Sequence, residues 1–413
     1  MRAIALAVAL SLAASTVPAG LTWAESDRPG QRFHVKPADM PRPYATRSAS
    51  NSSRQVLRKP GQTPVAPAGY KVNLFADGLD FARWLAVAPS GEVFLAEPRR
   101  GRVILLVDSN GDGVADRRSE FAGGHDAPHG LAVRLGAVYV ADLAGVWRYP
   151  WRPGQREARD RPTRITPEGA FGEPGGHWTR NIAFSADGES FFVSIGSADN
   201  LAVEPDPRAT IKRFDSDGSG GKIFARGLRN PVGIAFHPET GELYTVVNER
   251  DGMGDGLVPD YFTRVLEGGF YGWPYAYIGP NPQPGFAELR PDLVAKTIVP
   301  DVLFRSHSAP LGLTFAKGGD FPADWQDDAF VAFQGSWNAA VPTGYKVVRV
   351  PFEDGRPLGW YENFVTGFRV DPADRPRTAH VIGRPVGLAI AADGSLLIAD
   401  ATGDVIWRVS RAR

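Results

Sequence analysis

The stretch Leu388 to Asp400, LAIAADGSLLIAD, decides the fold. An apolar run, an Asp-Gly turn and a second apolar run ending in a carboxylate read as a β-hairpin. The phrase recurs as LAVAPSGEVFLAE (85–97), LAVRLGAVYVAD (131–142), IAFSADGESFFVSIG (182–196), GIAFHPETGELYTVVNE (233–249) and LTFAKGGDFPADWQDDAFVAFQG (313–335). A third apolar strand often follows, as in GRVILLVD, GVWRYPW, YKVVRVPF and DVIWRVS. Starts at 85, 131, 182, 233, 313 and 388 lie 46, 51, 51, 80 and 75 residues apart, so the later copies carry insertions. Periods of this size belong to propeller blades, and six copies predict an all-β, six-bladed β-propeller. The terminal DVIWRVS and the strand YKVNLFA near residue 70 are expected to share a blade and close the ring. A pair of β-sandwiches with accidental turn similarity is the competing reading. Five copies that keep both halves of the hairpin favour the propeller.

Composition narrows the function. Lys plus Arg is 46 and Asp plus Glu is 46, so the chain lacks the basic excess that tracks nucleic-acid phosphates. There is no cysteine, which removes disulfides, thiolate nucleophiles, zinc ribbons, iron–sulfur clusters and a C-x-x-C-H haem site. Residues 1–24 read as a secretory signal: Arg2, an apolar run from Ala3 to Ala14, then small residues before a cleavage site at Thr22-Trp23-Ala24. No later stretch has the length and apolarity of a membrane span. A periplasmic or secreted protein is expected. Residues 25–65, polar and rich in Pro, Ser and Arg, read as an extended leader with little core of its own. Residues 66–413 read as the propeller domain.

In a propeller, loops at one mouth of the central channel gather residues from several blades. Of the seven histidines, His125, His129, His177 and His307 precede blade-opening strands in Gly- or Pro-rich loops. His34 lies in the leader, His380 precedes VIGRP, and His237, in the turn FHPETG, is expected at the surface. A histidine before a strand is commonly a hydrogen-bonding strut, but four from different blades point to a shared pocket. The runs GGHWTR, LRNPVGIAF, NERDGMGDGLVPDYFT, GGFYGWPY, GSWN with PTGYKVVRV, and GRPVGLAI add Arg, Asn and aromatic residues at loop positions.

Together these runs resemble the soluble pyrroloquinoline quinone (PQQ)-dependent sugar dehydrogenases, nearest to the sorbosone dehydrogenase-like branch that includes pyranose dehydrogenases. The resemblance runs from about residue 67 to 411. It implies a six-bladed propeller that oxidises a sugar C–OH with a bound quinone, which takes the hydride. His177 matches the family's base, and an imidazole titrates near working pH. Arg229 and Asn230 match its Arg-Asn pair, the guanidinium polarising a quinone carbonyl. Arg384 would face the cofactor's carboxylates. Lys346 would do likewise, unless it points from its strand into solvent. The resemblance also implies calcium, held in VNERDG by the main-chain carbonyls of Arg250 and Asp251 with Glu249 nearby. The partners implied are a small sugar and an external electron acceptor, a cytochrome or quinone.

A second calcium candidate comes from spacing alone. DSNGDGVAD sets Asp108, Asn110, Asp112 and Asp116 in the first half of an EF-hand pattern, with Gly113 at the sharp turn and a carbonyl from Val114. The twelfth position is Ser119, so the bidentate Glu is missing. A plain acidic turn is the alternative. The family phrase also departs here: Gln334 precedes GSWN and Ala339 follows it, where the family usually carries His and Arg. The first blade is unusual in placing Trp84 after Arg83. Two other functions share the fold class, a calcium-dependent sugar lactonase and a non-catalytic binding propeller. The set His177, Arg229 and Arg384 argues against the lactonase.

Overall fold

The computed structural model describes residues 27–371 and 378–412. The expected signal segment, residues 1–24, lies outside them. Six sheets of four or five strands form the blades. The first runs through Leu85–Val87, Val93–Glu97, Arg102–Val107 and Arg117–Gly123, each strand antiparallel to the next. The innermost strands of the other five are Gly130–Arg134, Arg180–Phe184, Asn230–Phe236, Pro310–Phe315 and Pro385–Ile390. Neighbouring innermost strands touch all the way round, sixth against first included. The sixth blade is completed by Tyr70–Ala76, antiparallel to Val405–Arg411, as the sequence predicted. The longer spacings of the later copies hold the connection 265–301, which includes the short helix Pro291–Ala295, and the loop 316–328.

The near-continuous apolar runs follow from the packing. Val93 and Leu95 point to a core shared with Leu397 and Ala399 of the sixth blade. Phe94 and Ala96, one residue out of phase, point to a core shared with Val138 and Val140 of the second. Every blade is sandwiched in this way, so both faces must be apolar. Such cores lie between each pair of adjacent blades.

Glycine sets the width of the channel. A Cβ on Gly130 would come within 2.6 Å of the Arg180 carbonyl oxygen of the next blade, one on Gly233 within 2.5 Å of Leu311 O, and one on Gly387 within 2.3 Å of Arg83 O. The remaining blades place Gly312, Trp84 and Asn181 at this register, and Asn181 Nδ2 donates to Val232 O at 3.0 Å. The acidic residue that closes several phrases is a staple. Asp400 Oδ1 accepts from Arg384 N at 2.7 Å and Gly403 N at 2.8 Å, while Oδ2 accepts from Trp407 Nε1 at 3.1 Å.

The polar leader does more than trail. Arg32–Phe33 adds a fifth strand to the fifth blade against Tyr361–Val365, and Arg54–Gln55 pairs with His380–Val381. Phe33 enters the core between the fourth and fifth blades. His237 departs from its expected surface position. It is buried against the rings of Phe315 and Phe352, and its Nδ1 accepts from Thr240 N at 3.1 Å.

Candidate active site

One mouth of the channel opens into a cavity of about 230 Å³. The residues just before the innermost strands and just after the second strands line it. His177, Arg229, Asn230 and Arg384, from three blades, converge there with Arg83, Trp178, Asp251, His307, Trp337 and Asn338.

His177 precedes Arg180–Phe184. Its Nδ1 lies 2.9 Å from the Ser197 carbonyl oxygen and 3.1 Å from Ser197 Oγ. A carbonyl only accepts, so Nδ1 carries the proton and Nε2 the lone pair. Burial, reinforced by the Arg229 guanidinium, lowers the pKa to about 4. The ring is therefore neutral at pH 7, with a base nitrogen available. Gly196 leaves the space that His177 and Asn230 share. A Cβ there would stand 2.6 Å from both His177 Cβ and Asn230 Oδ1. Asn230 Oδ1 is buried without a hydrogen-bond partner among the described residues.

Arg229 is pinned from several sides. It donates from Nε to Asn200 O at 3.1 Å, from Nη1 to Glu249 O at 2.8 Å, and from Nη2 to Asn200 Oδ1 at 2.9 Å and Asp251 Oδ2 at 3.3 Å. Asp251 Oδ1 accepts from Asn338 Nδ2 at 2.6 Å, and Asn338 also meets His307 Nδ1 at 3.1 Å. Arg384 donates to the carbonyls of Gln334 at 2.9 Å and Gly335 at 2.6 Å. Burial raises the pKa of Glu249 to about 7 and of Asp260 to about 6 on the same wall.

Several expected residues stand elsewhere or are otherwise engaged. Lys346 does not line the cavity. Its strand turns it into the fifth blade, where it is buried and ion-paired to Asp27 of the leader. The Asp251 carbonyl already accepts from Arg250 Nε at 3.0 Å, Arg250 Nη2 at 2.7 Å and Asn200 Nδ2 at 2.9 Å. Its lone pairs are spent and a guanidinium sits on it, so the Arg250–Asp251 carbonyl pair does not fit a divalent cation.

The acidic loop after Arg102–Val107 also turns inward on itself. Asp108 accepts from Gly111 N at 2.7 Å and Gly113 N at 2.8 Å, Asn110 from Asp112 N at 3.1 Å, and Asp112 from Val114 N at 2.9 Å. Asp116 accepts from Ser109 N at 3.0 Å. These oxygens satisfy the turn's own amides, and among the described residues no His, Asp or Glu group has the arrangement of a metal cage. His125 is a strut, held between Asp142 Oδ2 at 2.9 Å and the Tyr149 hydroxyl at 2.8 Å.

An anionic planar quinone does fit the cavity. Arg83, Arg229 and Arg384 supply positive charge, Trp178 and Trp337 supply aromatic faces, and Asn230 Oδ1 still lacks a partner among the described residues. Arg83 was missed as a site residue because it reads as a strand-edge cation. Only the ring closure brings it across the channel to Trp178, whose ring centroid lies 5.1 Å from its guanidinium carbon.

The TrAA12-like family model matches residues 64–258 and 294–411. The chain belongs to this family. Among curated relatives, a PQQ-dependent pyranose dehydrogenase of Coprinopsis cinerea is 26% identical, the match covering 82% of this chain and 53% of that one. An uncharacterised protein of Borreliella burgdorferi is 32% identical, covering 56% of this chain and 60% of its own. The chain thus spans only about half to three-fifths of the length of these curated relatives. The solved PQQ domain of the Coprinopsis cinerea pyranose dehydrogenase superposes with a TM-score of 0.70 at 21% identity, covering 86% of this chain and 98% of that one. That likeness supports the propeller.

Proposed function

We propose that the protein is a PQQ-dependent dehydrogenase that oxidises a sugar or a related aldose or sorbosone-type substrate. The observation that carries this reading is the convergence of a neutral, buried imidazole with three arginines and two tryptophans at the channel mouth. Bound PQQ would supply an electrophilic quinone carbon that accepts hydride. Arg384 would hold its carboxylates, and Asn230 would complete its hydrogen bonds. Arg229, fixed by Asn200, Glu249 and Asp251, would present its positive charge without reorganising. His177 Nε2 would take the hydroxyl proton, its tautomer set by Ser197.

The electrons would then pass to an external acceptor, a cytochrome or quinone. A secreted or periplasmic site of action is part of the same proposal. It is supported by the leader sequence and by the absence, among the described residues, of any helix long and apolar enough to cross a membrane.

The test is to add PQQ to the purified chain and record its absorbance before and after a panel of aldoses. Bleaching of the oxidised quinone by a sugar supports the reading. Hydrolysis of gluconolactone without a redox change would establish the lactonase instead. His177→Ala is expected to lower kcat by ~10²–10⁴-fold while PQQ affinity stays within a few-fold. Loss of PQQ binding alone would make His177 a cofactor ligand and not the base.

A further inference from the structure

The six blades share one register. Leu85, Leu131, Ile182, Ile234, Leu313 and Leu388 on the innermost strands pair with Leu95, Val140, Val193, Thr245, Val331 and Ile398 on the second strands. Two residues before each of these stand Arg83, His129, Arg180, Val232, Leu311 and Val386. One layer across the channel is therefore basic on its first three blades and aliphatic on the other three. All six residues are buried. The aliphatic half forms its own cluster. Arg83, Val232 and Leu311 also touch the cavity, so this layer forms part of its floor.

The basic half is only partly satisfied: Arg180 Nη1 donates to the carbonyls of His177 and Thr179, both at 2.9 Å. Arg83 Nε, Arg180 Nε and Nη2, and both ring nitrogens of His129 are buried with no hydrogen-bond partner among the described residues. His129 sits between two indoles, its ring centroid 5.1 Å from that of Trp84 and 5.5 Å from that of Trp178. Arg83 lies against the same Trp178. Burial lowers both arginines to about 9, and the charges that act on them are further arginines, Arg384 and Arg99 on Arg83 and Arg208 on Arg180. Both remain charged at neutral pH. Burial and these two guanidiniums keep His129 neutral. Two buried positive charges with free N–H donors and no carboxylate beside them are costly to hold.

We propose that this layer binds a small monovalent anion of the halide class between Arg83, His129 and Arg180. A compact, weakly hydrated anion suits the surroundings. It accepts N–H donors from several directions and tolerates the aliphatic half of the layer. The site adjoins the cavity through Arg83 but takes no part in the proposed redox chemistry, and it belongs to the protein without its cofactor.

Bromide is the probe. Crystals of the full chain, grown without halide and soaked in bromide, should show an anomalous peak within ~3.5 Å of the unpartnered nitrogens. At fixed ionic strength, replacing gluconate by bromide should raise Tm by about 2 °C or more over two decades of concentration. Arg180→Met should remove that dependence. If this variant does not fold, the wild-type titration and the anomalous map decide the matter. Ordered waters bridging to Asn181 Oδ1, with no anomalous signal and no bromide-dependent Tm, would overturn the proposal. So would a peak confined to Arg229 or Arg384. Displacement of bromide by PQQ would assign the layer to a cofactor carboxylate and overturn it equally.

Discussion

At the residue scale, His177 owes its basicity to where its chain neighbours put it. The Ser197 carbonyl fixes the proton on Nδ1, and burial beside Arg229 disfavours a second one. The folded pKa, about 4, lies below the ordinary 6.5 of the unfolded chain. The unfolded state therefore takes up a proton first as pH falls. His177 contributes its full share of stability above about pH 6.5 and loses it between there and about 4. The acid limb of kcat/KM should accordingly lie near pH 4. His177→Gln should flatten the stability slope across that window in a urea titration run at several pH values. An unchanged slope would mean that the imidazole is not shielded as described. Gly196 tests the same site by volume. Gly196→Ala must displace His177 or Asn230, because its methyl would stand 2.6 Å from both. The expected cost is about 1–3 kcal/mol of stability with a marked fall in kcat, read by thermal melts and turnover.

Whole elements explain what the sequence made legible. Strands such as Val93–Glu97 were readable because burial on both faces leaves an unbroken apolar run between turn residues. The pocket histidine and the Arg-Asn pair were readable because they sit at fixed offsets from those runs. Lys346 was harder. Its alternation within Lys346–Val350 gives no sign that Asp27, more than 300 residues away, waits as its partner. The docking of the leader was illegible for a related reason, since pairing at a blade edge needs main-chain groups more than side-chain pattern. It also straps two pocket loops. Thr46 Oγ1 accepts from Asp255 N at 2.8 Å, Ser48 Oγ accepts from Gly254 N at 3.0 Å, and Asn51 Nδ2 donates to Ala339 O at 3.0 Å. Ala339 stands where the resembling family usually has Arg, and here the leader covers its carbonyl. Replacing Thr46 and Ser48 together by Ala should speed amide hydrogen exchange in 251–256 by ~10-fold or more while the outer blades stay protected. Equal protection in the variant would show that the strap does not hold the loop.

For the whole molecule, the decisive contact joins the two ends of the propeller chain. Tyr70–Ala76 supplies the outermost strand of a blade whose other three strands come from 385–411. Nothing else in the ring spans so much sequence in one sheet, so forming it orders the entire chain between. The join is anchored by Trp407, fully buried on the Val405–Arg411 strand in the core between the fifth and sixth blades. Its indole donates to Asp400, which also holds Arg384 N and Gly403 N, so the closing blade is tied to a pocket-lining arginine. Trp407→Ala should therefore cost about 3–5 kcal/mol and loosen the cavity floor as well as the seam. Trp407→Phe keeps most of the volume and loses the N–H, so it should cost less in Tm while still weakening the Asp400 staple. A closed ring predicts one cooperative unfolding transition for wild type, because opening the seam strips the sixth blade of its outer strand and exposes the packed faces on either side of it. If fluorescence and far-UV dichroism separate into two transitions in wild type, the seam does not carry the ring. If they coincide in wild type and part only in Trp407→Ala, the join of the chain ends is what makes six sheets unfold as one body.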